Sequence, residues 1–462
     1  EWLCNMWRPV RARQSNHKPY QAIPSPADLG RRVHSIGRMH SEGGGEAMTP
    51  IKMPARRQGG KRVLIYSHDS FGLGHLRRCR AIANALVKAY EDLSVLILSG
   101  SPIIGSFDFA SRVDFVRVPG MIKLSDGDYT SLALDLAPEH TLSIRASIIQ
   151  HTAEVFDPDI FIVDKEPLGL RGECHETLTM LKARGCRLVL GLRDIMDEPD
   201  QLAPEWERKN AMPALRDLYD EIWVYGLPHI CEPLAGLNVP EPVRRKLVYT
   251  GYLEREAPET PGSLEALSLI DEPFILVTPG GGGDGEALVD WVLRAYEATP
   301  DLHPRALIVF GPFMSQDRQR EFRERCAQLD SVDGLTFDAH IETLIDAAEG
   351  VIAMGGYNTF CEILSFDKRA FIMPRTKPRM EQYIRASRAA DLGLTGLLDG
   401  DGPRKAEAMA IALRRLPNQP KPSDVVVPGL LDGLPSVLRL TGKAFEAGRD
   451  PGLKLAGQGG LS

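Results

Sequence analysis

The 462-residue sequence has no run of about 18 apolar residues and no apolar export core near its N-terminus, which argues against a spanning helix and a secretory leader. Its seven cysteines, Cys4, Cys79, Cys174, Cys186, Cys231, Cys326 and Cys361, form no Cys-x-x-Cys pair, so neither a zinc site nor a disulfide framework is indicated. A reducing cytoplasm is the simplest setting, and contact with the inner face of a membrane stays compatible with it. No Gly-Lys-Ser or Gly-Lys-Thr follows a glycine loop, which leaves Walker-type ATP hydrolysis unsupported. Basic charge is scarce outside one segment. Residues 1–62 hold twelve Lys or Arg against four Asp or Glu, leaving a net charge of −15 on the remainder. An acidic body lacks the basic face that nucleic acid requires and favours small-molecule chemistry.

Residues 1–61 are rich in Arg, Ser, Pro and Gly without apolar periodicity and are expected to be a disordered basic extension, with Met48 as an alternative start. The prolines place a transit segment second. Order is expected from Arg62-Val63-Leu64-Ile65-Tyr66, followed by a glycine loop and a helical pattern. Strands are expected at Ser94–Ser99, Asp159–Val163, Arg187–Leu192 and Glu221–Val224, with helices between them. Continuous apolar strands alternating with helices specify a parallel sheet covered on both faces, so residues 62–253 form a first Rossmann-like domain. A Pro- and Glu-containing linker over 254–273 leads to a second alternation within 274–420. Its strands are expected at Phe274–Thr278, Ala306–Phe310, Leu335–Phe337, Gly350–Met354 and Ala370–Met373. Residues 421–462 contain a final helix near Leu430–Phe445, returning to the first domain, and a Gly-rich tail.

Three loops carry the chemistry. Gly72-Leu73-Gly74-His75 lies between a strand and a helix, where absent side chains admit a ligand and helix amides face an anion. Arg77 stands where the dinucleotide fingerprint needs a third glycine, which disfavours NAD. Gly280-Gly281-Gly282-Gly283 again follows a strand and opens a helix. Four glycines are more than a turn needs, and phosphate contact is the leading explanation. The third loop, Met354-Gly355-Gly356-Tyr357-Asn358-Thr359-Phe360-Cys361-Glu362, continues through Pro374 to Glu381-Gln382-Tyr383-Ile384-Arg385-Ala386. Amides at the start of its helix suit phosphate oxygens, and Glu362, one turn in, suits ribose hydroxyls. The alternative for Thr359 and Glu362 is an ordinary cap and first-turn acid.

These loops, in this order, resemble glycosyltransferase family 28 over about residues 62 to 400. The likeness is nearer to bacterial enzymes of the lipid-linked peptidoglycan N-acetylglucosaminyltransferase type. The Gly-Gly-x-x-Thr-x-x-Glu run followed by Pro and Gln-x-x-x-Ala is the strongest part. The resemblance implies an α/β GT-B fold, with two Rossmann-like domains of mainly parallel sheets facing a central cleft. It implies a nucleotide diphosphate sugar, a UDP-sugar foremost, as donor substrate without any separate cofactor. Transfer would be of a hexosyl or N-acetylhexosaminyl group in cell-envelope or polysaccharide synthesis. By position it implies that Gly355, Gly356, Asn358 and Thr359 line the diphosphate site, Glu362 holds the ribose, His340 and Ile341 face the base, and Glu381 and Gln382 face the sugar. The family often has Gln-Gln where this chain has Glu381-Gln382, which leaves the donor sugar open.

His75 is the candidate general base, since imidazole exchanges protons near neutral pH, with Asp164 as an alternative. No Asp-x-Asp follows an apolar strand, so a metal-free mechanism is expected. Asp164-Lys165-Glu166 and Arg193-Asp194 end apolar strands, which places them at the crevice as acceptor-side candidates together with Gly72 and Gly74. Salt-bridged strand ends are the competing expectation for them. Arg77, Arg78 and Arg80 are expected to be mainly surface charge. The acceptor is left open among glycan, lipid-linked and small-molecule classes. Two rival functions remain: a nucleotide-sugar hydrolase or epimerase, and a non-catalytic sensor or assembly scaffold.

Overall fold

The computed structural model describes residues 59–68, 74–123, 129–257 and 272–449. Gly72 and the end of the tail lie outside these, as do the basic extension up to residue 58 and positions 258–271 of the linker.

The first sheet runs through β1 (Lys61–Ser67), β2 (Leu93–Ser99) and β3 (Val113–Arg117). It continues, past a small hairpin of β4 (Met121–Lys123) and β5 (Tyr129–Ser131), with β6 (Ile160–Asp164), β7 (Arg187–Arg193), β8 (Glu221–Tyr225) and β9 (Leu247–Tyr249). All its pairings are parallel, in the order β3-β2-β1-β6-β7-β8-β9. Along β1 the side chains alternate between two cores. Val63 and Ile65 join one, while Leu64 and Tyr66 join the other. That alternation is why the strand is apolar at each of its positions 63–66 rather than at every second one.

The second sheet contains β10 (Phe274–Thr278), β11 (Arg305–Val309), β12 (Val332–Leu335), β13 (Gly350–Ala353), β14 (Arg369–Ile372) and β15 (Gly396–Leu397). It is also parallel, in the order β12-β11-β10-β13-β14-β15. In both sheets the strand order reverses beside the first strand, so the loops after β1 and β6, and those after β10 and β13, open at a topological switch point. The two domains present these crevices to one another.

One expected strand is corrected, two edge strands are new, and the final helix keeps its expected place. The strand placed at Leu335–Phe337 ends instead at Leu335, because pairing with β11 stops at Val309 and Phe337 turns out to line the cleft. The edge strands β3 and β15 were not expected at all. The first is half-exposed and the second has two residues, so neither carries the continuous apolar signal of a central strand. The final helix, expected near Leu430–Phe445, spans Gly433–Arg449 and packs on the helix Gly74–Ala89 of the first domain. There Tyr90 donates to the Leu438 carbonyl at 2.8 Å and meets the Phe445 ring edge-on. No described helix is long and apolar enough to cross a membrane.

The domains are joined by more than the linker. Tyr252 packs against Tyr357 and Phe360, which extends the first domain's core into the second. Beside it, Arg385 grips Asp194 through two hydrogen bonds of 2.7 Å, both side chains being 1% exposed. Tyr252 also donates to Asp194, and Arg385 donates to the Gly355 carbonyl. Removing one partner would leave the other charge buried without compensation, at a cost of about 3–5 kcal/mol. Arg385→Ala is therefore expected to lower the urea midpoint far more than the double replacement Asp194→Leu/Arg385→Met, as measured by equilibrium unfolding.

Candidate functional site

Helix α1 (Gly74–Ala89) starts at the cleft directly after the first glycine loop, and its 3.6-residue period puts His75 and Arg78 on one face. Both turn to Asp164 at the end of β6. Nδ1 of His75 contacts Oδ2 of Asp164, while Arg78 donates to both carboxylate oxygens at 2.6–2.8 Å. Burial by itself would raise the Asp164 pKa, but Arg78 and His75 hold it well below the usual carboxylate range. Burial pushes the His75 imidazole below its ordinary value, against the upward pull of Asp164. The lowered pKa favours the neutral imidazole, whose Nδ1 faces Asp164 and lies 3.1 Å from the Arg78 guanidinium. Asp164 is 2% exposed with both oxygens taken, so its geometry suits orienting His75 rather than serving as a base itself.

The neighbouring arginines are not surface charge, contrary to expectation. Arg77 donates to Glu342 at 2.9 Å and to Glu362 at 2.5 Å, across the cleft. Arg80 lies 3.6 Å from Glu342 and over the Phe107 ring. The reason is tertiary: α1 faces the second domain, so its charged side chains meet carboxylates instead of water.

In the second domain, the Gly280–Gly283 loop links β10 to helix α2 (Glu286–Ala298). Part of its glycine content is structural. Gly282 has φ +87°, and a Cβ there would lie 2.3 Å from the Phe310 carbonyl oxygen, so the loop interlocks with the turn after β11. A Cβ on Gly283 would meet only ordinary van der Waals contacts with Phe313. Helix α3 (Ile341–Ala347) follows β12. Ile341 lines the cleft, whereas His340 reaches away to Asp108 at 3.1 Å.

Helix α4 (Tyr357–Ser365) follows the Gly355-Gly356 turn, and its first three residues line the cleft. Asn358 donates to the Gly74 carbonyl and accepts from Arg255, each at 3.0 Å, and Tyr357 donates to the Tyr225 carbonyl. Glu362 is fully buried behind this wall. One oxygen takes Arg77 and the other has no partner among the described residues. Burial raises the Glu362 carboxyl above its ordinary value, against the pull of Arg77. Helix α5 (Glu381–Asp391) begins with the two expected sugar-facing residues. Glu381 takes Arg375 on one oxygen and leaves the other buried and unpartnered, while Gln382 accepts from the Arg375 amide at 3.1 Å. Arg375 also pairs with Asp284 of the glycine loop.

All of this encloses one cavity of about 800 Å³. Gly74, His75, Arg193, Gly280–Gly283, Ile341, Gly355, Gly356, Asn358, Thr359, Glu381 and Gln382 line it. Asp164, Lys165, Glu166, Asp194, His340 and Glu362 do not. Lys165 and Glu166 pair with each other, Glu166 also with Lys209, and Asp194 belongs to the interdomain pair. For these three, and for Asp194 above all, the salt-bridged expectation describes what is seen. Sequence reasoning missed Arg375, Phe313 and Phe337 on the wall. Gly311-Pro312-Phe313 after an apolar strand was the available signal for one of them.

No family model matches the chain. A protein of Methanosarcina acetivorans described as an uncharacterized glycosyltransferase is 24% identical over 321 residues, covering 64% of this chain and 75% of that protein. Among solved structures, the glycosyltransferase VinC in complex with dTDP is 16% identical with a TM-score of 0.55, covering 84% of this chain and all of that one. MurG of Acinetobacter baumannii is 14% identical with a TM-score of 0.50, covering 83% and 99%. The family 28 likeness is thus not singled out over other members of the same fold.

Gly282→Ala is expected to destabilise the second domain by about 1–3 kcal/mol through backbone strain, with Gly283→Ala near neutral, as thermal unfolding of the two variants would reveal. Two parallel Rossmann-like sheets facing one cleft, matched over nearly their full length by these solved structures, give the chain the GT-B fold.

Proposed function

We propose that the protein is a glycosyltransferase that moves a hexosyl or N-acetylhexosaminyl group from a nucleotide diphosphate sugar, a UDP-sugar foremost, to an acceptor on the first domain. The observation that carries this is the placement of His75, held by Asp164, in the same cavity as the N-terminal turn of α4 and the glycine loop. The glycosyltransferase description of the archaeal relative and the nucleotide-bound VinC structure support it.

The α4 amides and the Gly280–Gly283 backbone would receive the diphosphate, with Ile341 beside the base and Glu381 and Gln382 beside the sugar. Arg77 holds only one oxygen of Glu362, so the second oxygen would receive the ribose hydroxyls once the wall in front of it yields. The acceptor hydroxyl oxygen attacks the anomeric carbon and its proton passes to Nε2 of His75. The bond from the anomeric carbon to phosphate breaks, and its electron pair stays on the phosphate oxygen. Helix amides stabilise that charge as it forms. Asp164 keeps Nδ1 protonated and the ring aligned, and compensates the imidazolium that results. Charge stabilisation is assigned here to protein groups rather than to a metal ion.

The deciding experiment incubates the protein with a panel of UDP-sugars, with and without acceptor pools, and follows products by mass. Acceptor-dependent transfer is expected. UDP release without acceptor would indicate a hydrolase, an altered sugar an epimerase, and binding without turnover a sensor. In the same panel Glu362→Gln should weaken UDP about tenfold, the scale of a hydrogen bond to a charged group.

The pH dependence follows from His75. Its lowered pKa keeps the base neutral at pH 7, so kcat/KM should fall only as pH drops through a value below 6.5. Asp164 raises the His75 pKa and Arg78 lowers it, so Asp164→Asn should move this acid limb to still lower pH. His75→Ala should cost about 10²–10⁴-fold in kcat, the range of general-base catalysis, and should abolish the limb.

A further inference from the structure

Five arginines line the cleft, and four of them are already neutralised. Arg77 has Glu342 and Glu362, Arg78 has Asp164, Arg375 has Asp284 and Glu381, and Arg385 has Asp194. The fifth, Arg193, ends β7 on the first domain, and among the described residues it has no ion pair. Its Nε is buried without any hydrogen-bond partner.

The setting of Arg193 is specific. Burial lowers its pKa to about 10, with Glu381 opposing and Arg78 and Arg385 reinforcing the effect, so it stays charged at neutral pH. Glu381 is its strongest carboxylate neighbour but is bound to Arg375 and lies beyond ion-pair distance of Arg193. Asp194, next in the chain, is consumed by Arg385 and Tyr252. A half-buried guanidinium without a partner is costly unless a ligand completes it, and its planar fork matches carboxylate and phosphate oxygens.

We propose that Arg193 recognises an oxyanion, a phosphate or carboxylate, carried by a substrate beside the transferred group. This rests on the nucleotide-sugar reading of the cleft and adds the substrate's charge to it. Because α4 and the glycine loop already provide for the nucleotide's diphosphate, the oxyanion is a second one. Arg193 belongs to the same domain as His75, which favours the acceptor as its carrier, and the same chemistry on the donor sugar would be a uronate.

The test is equilibrium binding at constant ionic strength with wild type, Arg193→Gln and Arg193→Lys. One arm compares glycerol 3-phosphate with glycerol on the UDP-loaded protein. The other compares UDP-glucuronate with UDP-glucose. In one arm the anionic probe should bind wild type about tenfold or more tightly than its neutral counterpart, as a charged hydrogen-bonded pair requires. Arg193→Gln should erase that gap and Arg193→Lys should retain part of it. The arm with the gap identifies the carrier. Absence of a gap in both arms, or a gap that survives Arg193→Gln, overturns the proposal. Equal weakening of neutral and anionic probes also overturns it, since Arg193 would then only balance Glu381. Failure of UDP itself to bind would sink the nucleotide reading alone, because inorganic phosphate titrated without nucleotide still reports on Arg193. Should Arg193→Gln not fold, Arg193→Lys decides by whether it weakens the anionic probe selectively.

Discussion

A buried charge must be matched inside the protein, and that constraint shapes this molecule from the Asp194–Arg385 pair outward. The pair joins the end of β7 in one domain to α5 in the other with both side chains 1% exposed. Arg385 also reaches the Gly355 carbonyl, so the same guanidinium that closes the domains steadies the turn opening α4. Arg77 repeats the principle with Glu342 and Glu362, and Arg255 does so with the polar Asn358. Opening the cleft strands these groups unless water or ligand replaces their partners.

The polar contacts sit on rigid supports. β1 and β6 are central in a parallel sheet packed on both faces; the end of β6 holds Asp164 just behind the cleft wall, and the helix that follows β1 carries His75 on that wall. Asp164 is set by the sheet, Arg78 and His75 by the period of α1, and the three meet because α1 packs back across β1. Burial favours the neutral form of this imidazole, and Asp164 fixes its orientation. Opposite it, the first turn of α4 and the Gly280–Gly283 loop form the other wall of the same cavity.

Some residues serve two requirements at once. Gly282 is a glycine because Phe310 leaves no room for a Cβ, whereas Gly283 has room to spare and is explained better by what enters the cleft. Asn358 lies on the cavity wall yet is committed to Gly74 and Arg255, so ligand entry and domain contact draw on the same side chain. Glu362 goes further, withdrawn from the wall with one oxygen held by Arg77 and the other unpartnered.

Much of this was legible in the sequence because it is local. Apolar runs alternating with helical stretches specify two parallel sheets, and glycine loops after strands mark where side chains leave the backbone open, so the cleft and much of its second-domain wall followed from neighbours along the chain. The weak edges β3 and β15 were not legible, since a half-exposed or two-residue strand carries little apolar pattern. Charged residues were the other failure. Nothing in Arg77-Arg78-Cys79-Arg80 distinguishes solvated cations from buried ones, and nothing in Arg193-Asp194 says that the acid is spent on Arg385 while the arginine finds no ion pair among the described residues. An ion's environment depends on partners tens or hundreds of residues away, and only the packing of the two domains brings those partners within reach.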